Sequence, residues 1–254
     1  MRTSTKRIVI TLVVIAAAGV LVASRDAIRY RIAEWSKPAV PSAIPRPTAT
    51  PARSPGTPEP SPTPLPGSIN LSVPFTSQAP LGVWDADHED FCEEAAALMA
   101  ASYLTGDTSI SDPAVADAKL QSIKTWELAT FGYFQDTTAA ETARILDEKL
   151  KATPVQLVRN PTADDLRRFL AAGRLVLVPS AGRLLDNPYF TAPGPVYHML
   201  LLKGYLQNGS FITNDPGTRH GADYVYSEDT IMNALHDWNG GDVLHGARIV
   251  IVVG

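Results

Sequence analysis

Apolar and polar positions fall into three regimes along this chain. Residues 8–23 are apolar without a break, behind Arg2, Lys6 and Arg7. The run is a little shorter than the ~20 residues that span a bilayer, and it is apolar on every side, unlike an amphipathic surface helix. Val22-Ala23-Ser24 is followed at once by Arg25 and Asp26, a poor cleavage site, so an uncleaved signal anchor is expected within residues 1–36 rather than a removed signal peptide. Residues 37–67 hold eleven prolines among Thr, Ser and Ala. Such a stretch forms neither helix nor ladder and favours extended polyproline geometry, with a reach of up to ~90 Å. The periodicity of a folded domain begins at Ser68 and continues to Gly254.

Within residues 68–254 the pattern changes from helical to alternating. Residues 70–75 read as an edge strand, limited by Pro74. Residues 93–104 (EEAAALMAASYL) read as a helix, with acids in its first turn and a stop near Gly106. Residues 137–150 and 162–172 are amphipathic at helical spacing. Strands are expected at residues 174–179, 198–205, 211–215, 224–226 and 247–253. Asn208-Gly209 joins the second and third of these as a two-residue hairpin turn. No internal repeat is visible. Helices first and an antiparallel sheet last make an α+β domain.

Charge follows the same division. Residues 1–67 carry nine Lys/Arg against three Asp/Glu, and residues 68–254 carry thirteen against twenty-three. A domain this acidic repels a phosphate backbone, so nucleic acid is not an expected partner. About 187 residues suffice for one domain with its own core. There is one cysteine, Cys92, so no intramolecular disulfide can form.

Cys92 stands directly before the helix at 93–104. Backbone N–H groups at a helix N-terminus favour a thiolate, the nucleophilic form, whereas Glu93 and Glu94 oppose it. A histidinium partner would have to hold the charge. Of His88, His198, His220, His236 and His245, His198 is the best placed, because it opens an apolar strand and strands hold a base rigidly. The plainer alternatives are a buried cysteine acting as a small hydrophobe and a core histidine with satisfied hydrogen bonds. His88 and Cys92 have helical spacing for a shared metal, but no second ligand pair follows, so neither metal nor cofactor is expected. The loop Trp84, Asp85, Asp87, His88, Glu89, Asp90 reads as solvated and acidic.

The segment Val73-Pro74-Phe75-Thr76-Ser77-Gln78, then Phe91-Cys92-Glu93-Glu94-Ala95-Ala96-Ala97-Leu98-Met99, resembles the start of a bacterial cysteine peptidase domain. That domain is related to the bacteriocin leader-processing enzymes, peptidase family thirty-nine of the papain-like superfamily. Tyr197-His198-Met199-Leu200 and Asn214-Asp215-Pro216-Gly217-Thr218 are similar to its histidine and aspartate motifs. The resemblance covers residues 70–254 and implies a papain-like fold, with the nucleophile helix in an N-terminal helical part and an antiparallel sheet after it. It implies Cys92 as nucleophile, His198 as general base and Asp215 as the group orienting His198. Gln78 would donate to the oxyanion beside the Cys92 backbone N–H. Many relatives have Gly-Pro after the cysteine where this chain has Glu93-Glu94. No GxxxxGK[ST] pattern of a fused export ATPase occurs.

One geometric difficulty accompanies this assignment. A two-residue turn at Asn208-Gly209 pairs His198 with Arg219 and Asp215 with Leu202. The two side chains then share a face but stand ~13 Å apart along the strand. A longer loop, a bulge or a strong twist is needed to close the gap. The expected function is thiol hydrolysis of peptide or protein substrates on the extracytoplasmic side of a membrane. The alternatives are an inactive peptide-binding module of the same fold and a cell-envelope amidase or acyl transferase.

Overall fold

The computed structural model of the chain describes residues 28–32, 34–35, 37–47 and 64–254. It divides into two compact units, Met1–Ala39 and Val40–Gly254. In the first, residues 28–32 and 34–35 are helical. The apolar run at 8–23 lies outside the described residues, and among those described no helix is long and apolar enough to cross a membrane.

The second unit starts earlier than Ser68, because residues 40–47 of the proline-rich stretch join it. Ile44 makes a parallel bridge to Leu71. Its N–H donates to Asn70 O at 2.8 Å, its carbonyl accepts from Ser72 N at 2.7 Å, and Asn70 Nδ2 donates to Pro41 O at 3.0 Å.

Seven strands form one antiparallel sheet: β1 (Ile69–Asn70), β2 (Val155–Arg159), β3 (Leu175–Ala181), β4 (Tyr197–Tyr205), β5 (Phe211–Asn214), β6 (Tyr224–Tyr226) and β7 (Ile249–Val253). The order across it is β2-β7-β3-β4-β5-β6, with β1 paired to the end of β4. Every residue of β3, β4 and β7 is buried, so both faces of the sheet centre are covered. That explains their continuous apolar runs. The helices are α1 (Cys92–Thr105), α2 (Pro113–Thr130), α3 (Ala139–Arg144), α4 (Ala163–Ala171) and α5 (Glu228–Ala234). A π-helical turn, Ile145–Lys149, extends α3.

Local chemistry sets these boundaries. Thr138 with Glu141, and Thr162 with Asp165, form capping boxes at the starts of α3 and α4. Gly106 ends α1 in the left-handed conformation, its N–H on Ser102 O. Helix α1 is buried from Cys92 to Tyr103 and packs on β4, so small alanines line it on all sides. Helix α2, strand β2 and helix α5 add to the elements expected from sequence. The edge strand expected at 70–75 shortens to β1 and the bridge at Leu71, since Pro74 supplies no N–H to a ladder.

The β4–β5 hairpin is where the sequence expectation of register changes. Leu206 and Ser210 close a three-residue loop, Ser210 O accepting from Leu206 N at 2.8 Å, with Gly209 at φ 89°. That left-handed position is the one a glycine fills at little cost. A bulge at Lys203 then shifts the pairing again, so that Leu202 faces Thr213 and Leu201 faces Asn214. Continuing that register sets Asp215 level with Leu200, two residues from His198 instead of four.

Candidate active site

Cys92 is the first residue of α1, following Phe91, which is fully buried. Helix α1 lies on β4, and the backbone of Met199 on that strand acts to lower the pKa of the Cys92 thiol. Burial first, and then the adjacent Glu93 carboxyl, push the Cys92 thiol well above its ordinary range. Among the described residues the side-chain partner of the sulfur is Glu93, with Cys92 Sγ donating to Oε2 at 3.0 Å, and not His198.

His198 and Asp215 are brought together, and the shifted hairpin register does it. His198 Nε2 and Asp215 Oδ1 are 2.7 Å apart, with both side chains buried. Asp215 Oδ1 also accepts from Gly217 N at 2.9 Å, while Oδ2 accepts from Tyr226 Oη at 2.5 Å and Asn187 Nδ2 at 3.1 Å. Burial raises the Asp215 carboxyl, but the His198 ring and these hydrogen bonds outweigh it and hold Asp215 below its usual value. With Nε2 taken, only Nδ1 of His198 is open to a thiol. Phe190 packs edge-on against the ring, at 5.3 Å and 74°. Gly217 lies under it so closely that a Cβ there would stand 2.8 Å from His198 Cε1.

These contacts assemble a buried imidazole–carboxylate pair from β4 and the turn after β5. The Peptidase C39 like family profile matches residues 70–240, more than half of the chain. The chain belongs to this family. One of six similar solved chains is a crystal structure of a candidate C39-like peptidase from Bacillus anthracis. It is 17% identical, with a TM-score of 0.48, over 74% of this chain and 97% of that one. No curated protein matches the sequence significantly. The mixed helices and antiparallel sheet of this C39-like domain are those of the papain-like α+β class.

Gln78 of the C39-like domain is buried ahead of α1, but its amide faces the chain. Nε2 donates to His88 O at 2.8 Å and Glu89 O at 2.9 Å, which uses both amide protons, and Oε1 has no partner among the described residues. To reach an oxyanion, the amide would have to give up one of those bonds. The loop that Gln78 holds is less solvated than its composition implies. His88 is buried, with Nδ1 on Asp85 Oδ1 at 2.6 Å and Nε2 on Asp117 Oδ1 at 2.7 Å, so neither ring nitrogen is free for Cys92. Lys124 of α2 pairs with Asp87 at 2.5 Å.

Several members of the site carried no functional signal in the sequence reading. Gly217 stood in the quoted Asp-Pro-Gly motif without a role. Asn187 and Tyr226 come from a loop and from β6, and only the fold brings them to Asp215. Behind Cys92 lie three buried carboxyl groups, Glu93 and Glu94 on α1 and Glu127 on α2. Glu94 and Glu127 act on one another, and their side-chain oxygens have no hydrogen-bond partner among the described residues. Burial is the main cause that raises all three, and Glu127 is pushed up to about 7.

Proposed function

We propose that this C39-like protein is a membrane-anchored thiol hydrolase that cleaves peptide bonds on the extracytoplasmic side, using Cys92, His198 and Asp215. The observation that carries this reading is the buried 2.7 Å contact of His198 Nε2 with Asp215 Oδ1. A carboxylate so placed fixes the imidazole tautomer and leaves Nδ1 to take the proton of Cys92. The thiolate then attacks the carbonyl carbon, and the Cys92 backbone N–H at the start of α1 stabilises the oxyanion. Imidazolium returns the proton to the leaving amine, and water, deprotonated by His198, releases the acyl group. A Gln78 contribution to the oxyanion requires its amide to turn from the carbonyls of His88 and Glu89. Location rests on the apolar run at 8–23 and the prolines that follow.

The rival reading, an inactive peptide-binding module, is favoured by one observation: the Cys92 sulfur donates to Glu93 rather than to His198. Purified protein incubated with a peptide mixture and, separately, with cell-wall fragments distinguishes the readings by mass spectrometry. New peptide termini support the peptidase. Release from wall fragments alone points to an amidase, and retained but intact peptides point to a binding module. For location, the full chain should sediment with membranes, and protease added outside should free the domain. Full-length protein in the soluble cytosolic fraction would refute the anchor.

Gly217→Ala tests the fit around the base. The added Cβ would meet His198 Cε1 and Phe190 Cε1, each at 2.8 Å, so the ring must move. A displacement of that kind should lower turnover by on the order of 10², with KM little changed. An unaltered rate would show that the position of the His198 ring does not govern the reaction.

A further inference from the structure

The atom proposed to react has a buried acid as its neighbour. Glu93 Oε2 lies 3.0 Å from Cys92 Sγ, Glu93 is 1% exposed, and its Oε1 has no partner among the described residues. An enclosed carboxylate is costly unless it is paired or protonated. The ionisable groups that act on it are themselves acids. They are Glu94 beside it on α1, Glu127 from α2, Asp136 from the loop between α2 and α3, and Tyr197 from β4. The nearest base on β4, His198, is already bonded through Nε2 to Asp215. Burial, with Asp136 and Glu127 adding to it, holds the Glu93 carboxyl well above the usual carboxylate range.

We infer that Glu93 is a further catalytic residue of the proposed hydrolase, a proton-bearing gate on Cys92; this rests on the reading of Cys92 as the nucleophile. When Glu93 is protonated, its O–H donates to the sulfur, and the thiol proton can pass from Sγ to Nδ1 of His198. No other bond changes in that step, and the product is an imidazolium–thiolate pair beside a neutral carboxyl group. When Glu93 is ionised, Oε2 accepts the S–H and repels a negative sulfur, so Cys92 is held as an unreactive thiol. Asp136 and Glu127 reinforce the gate, since the charge of each makes ionisation of Glu93 harder. The site is therefore competent on the acidic side of the Glu93 titration and closes as pH rises through it.

Alkylation by iodoacetamide reads the gate directly, because Cys92 is the sole thiol of the chain. In the parent protein the rate should fall or level off as pH rises through the Glu93 titration, and rise again only where the thiol ionises unaided. Glu93→Gln puts a permanently neutral donor beside the sulfur. It should give a single rise, with alkylation on the alkaline side of the parent's Glu93 titration faster by on the order of tenfold, one pKa unit of thiol. Superimposed profiles, or slower alkylation of a folded Glu93→Gln protein, would overturn the role. Circular dichroism establishes that the variant is folded. Should it not fold, infrared spectra of the parent decide. The protonated-carboxyl band that shifts when Cys92 is alkylated must titrate with the midpoint of the loss in thiol reactivity, and a separate midpoint overturns the gate. Peptide cleavage that survives Cys92→Ala overturns the hydrolase and the gate together. Superimposed profiles beside Cys92-dependent cleavage overturn the gate alone.

Discussion

Cys92→Ala should abolish peptide cleavage, lowering turnover by on the order of 10⁶, the scale of loss when the nucleophile of a covalent mechanism is removed. The size follows from the chemistry. Without the sulfur no acyl-enzyme forms, and His198 has only water to activate. The fold should survive, because alanine keeps the helix start and removes one small buried atom from the end of α1. Single-turnover cleavage followed by mass spectrometry measures the effect, and near-parental circular dichroism confirms folding. A folded Cys92→Ala protein that still cleaves peptides would place the nucleophile elsewhere and end the case for this site.

Asp215→Ala should be the most destabilising single change at the site, by about 3–5 kcal/mol, as when one partner of a buried pair is lost. Its carboxylate accepts from His198, Gly217, Tyr226 and Asn187, so alanine strands several buried polar groups at once. For a domain of this size the unfolding midpoint should drop by roughly 10 °C in a thermal melt. The dependence on pH has a definite sign. Because the folded carboxyl is held below its unfolded value, its stabilisation is full above about pH 4. It vanishes as pH falls through the folded pKa. Parent and variant melts should therefore converge in acid. Equal melting of the two proteins at neutral pH would mean that the Asp215 network adds nothing to the fold.

Much of the fold was legible because its signals are local. Residues 93–104 combine strong helix formers with a glycine stop, and 199–202 form an unbroken apolar run. Thr162 with Asp165 is a capping box within one turn. Helix α2 had legible signals too. Asp112 caps it and Pro113 opens it, and its buried Ala116, Leu120, Ile123 and Glu127 keep helical spacing. The stripe is narrow and ends in a glutamate, which obscured it. Strand β2 is a half-exposed edge strand whose one strand partner among the described residues, β7, lies almost a hundred residues away, and no local pattern specifies that pairing.

The candidate site divides in the same way. Cys92 and His198 could be nominated from element ends, and Asp215 from the resemblance of its motif. Their arrangement could not, because it depends on non-local packing. The Gln78 amide is turned by two carbonyls ten and eleven positions on. Glu93 could be seen to oppose a thiolate, but its burial beside Glu94 and Glu127 arises only when α1 is enclosed on every side.

The β4–β5 hairpin turns loop length into a condition on the His198–Asp215 pair. Surface hairpin loops ordinarily accept insertions and deletions, since the strands behind them hold their own register. Here the three-residue loop and the Lys203 bulge jointly determine which residue of the returning strand arrives beside His198. Removing one of Gln207, Asn208 or Gly209 while the core pairing adjusts by one step would turn the Asp215 side chain to the opposite face of the sheet. A change of that kind, outside every sequence motif, would leave a well-packed sheet around a histidine with no carboxylate. Relatives of altered hairpin length therefore need a compensating bulge to retain the pair, and the two features should be inherited together.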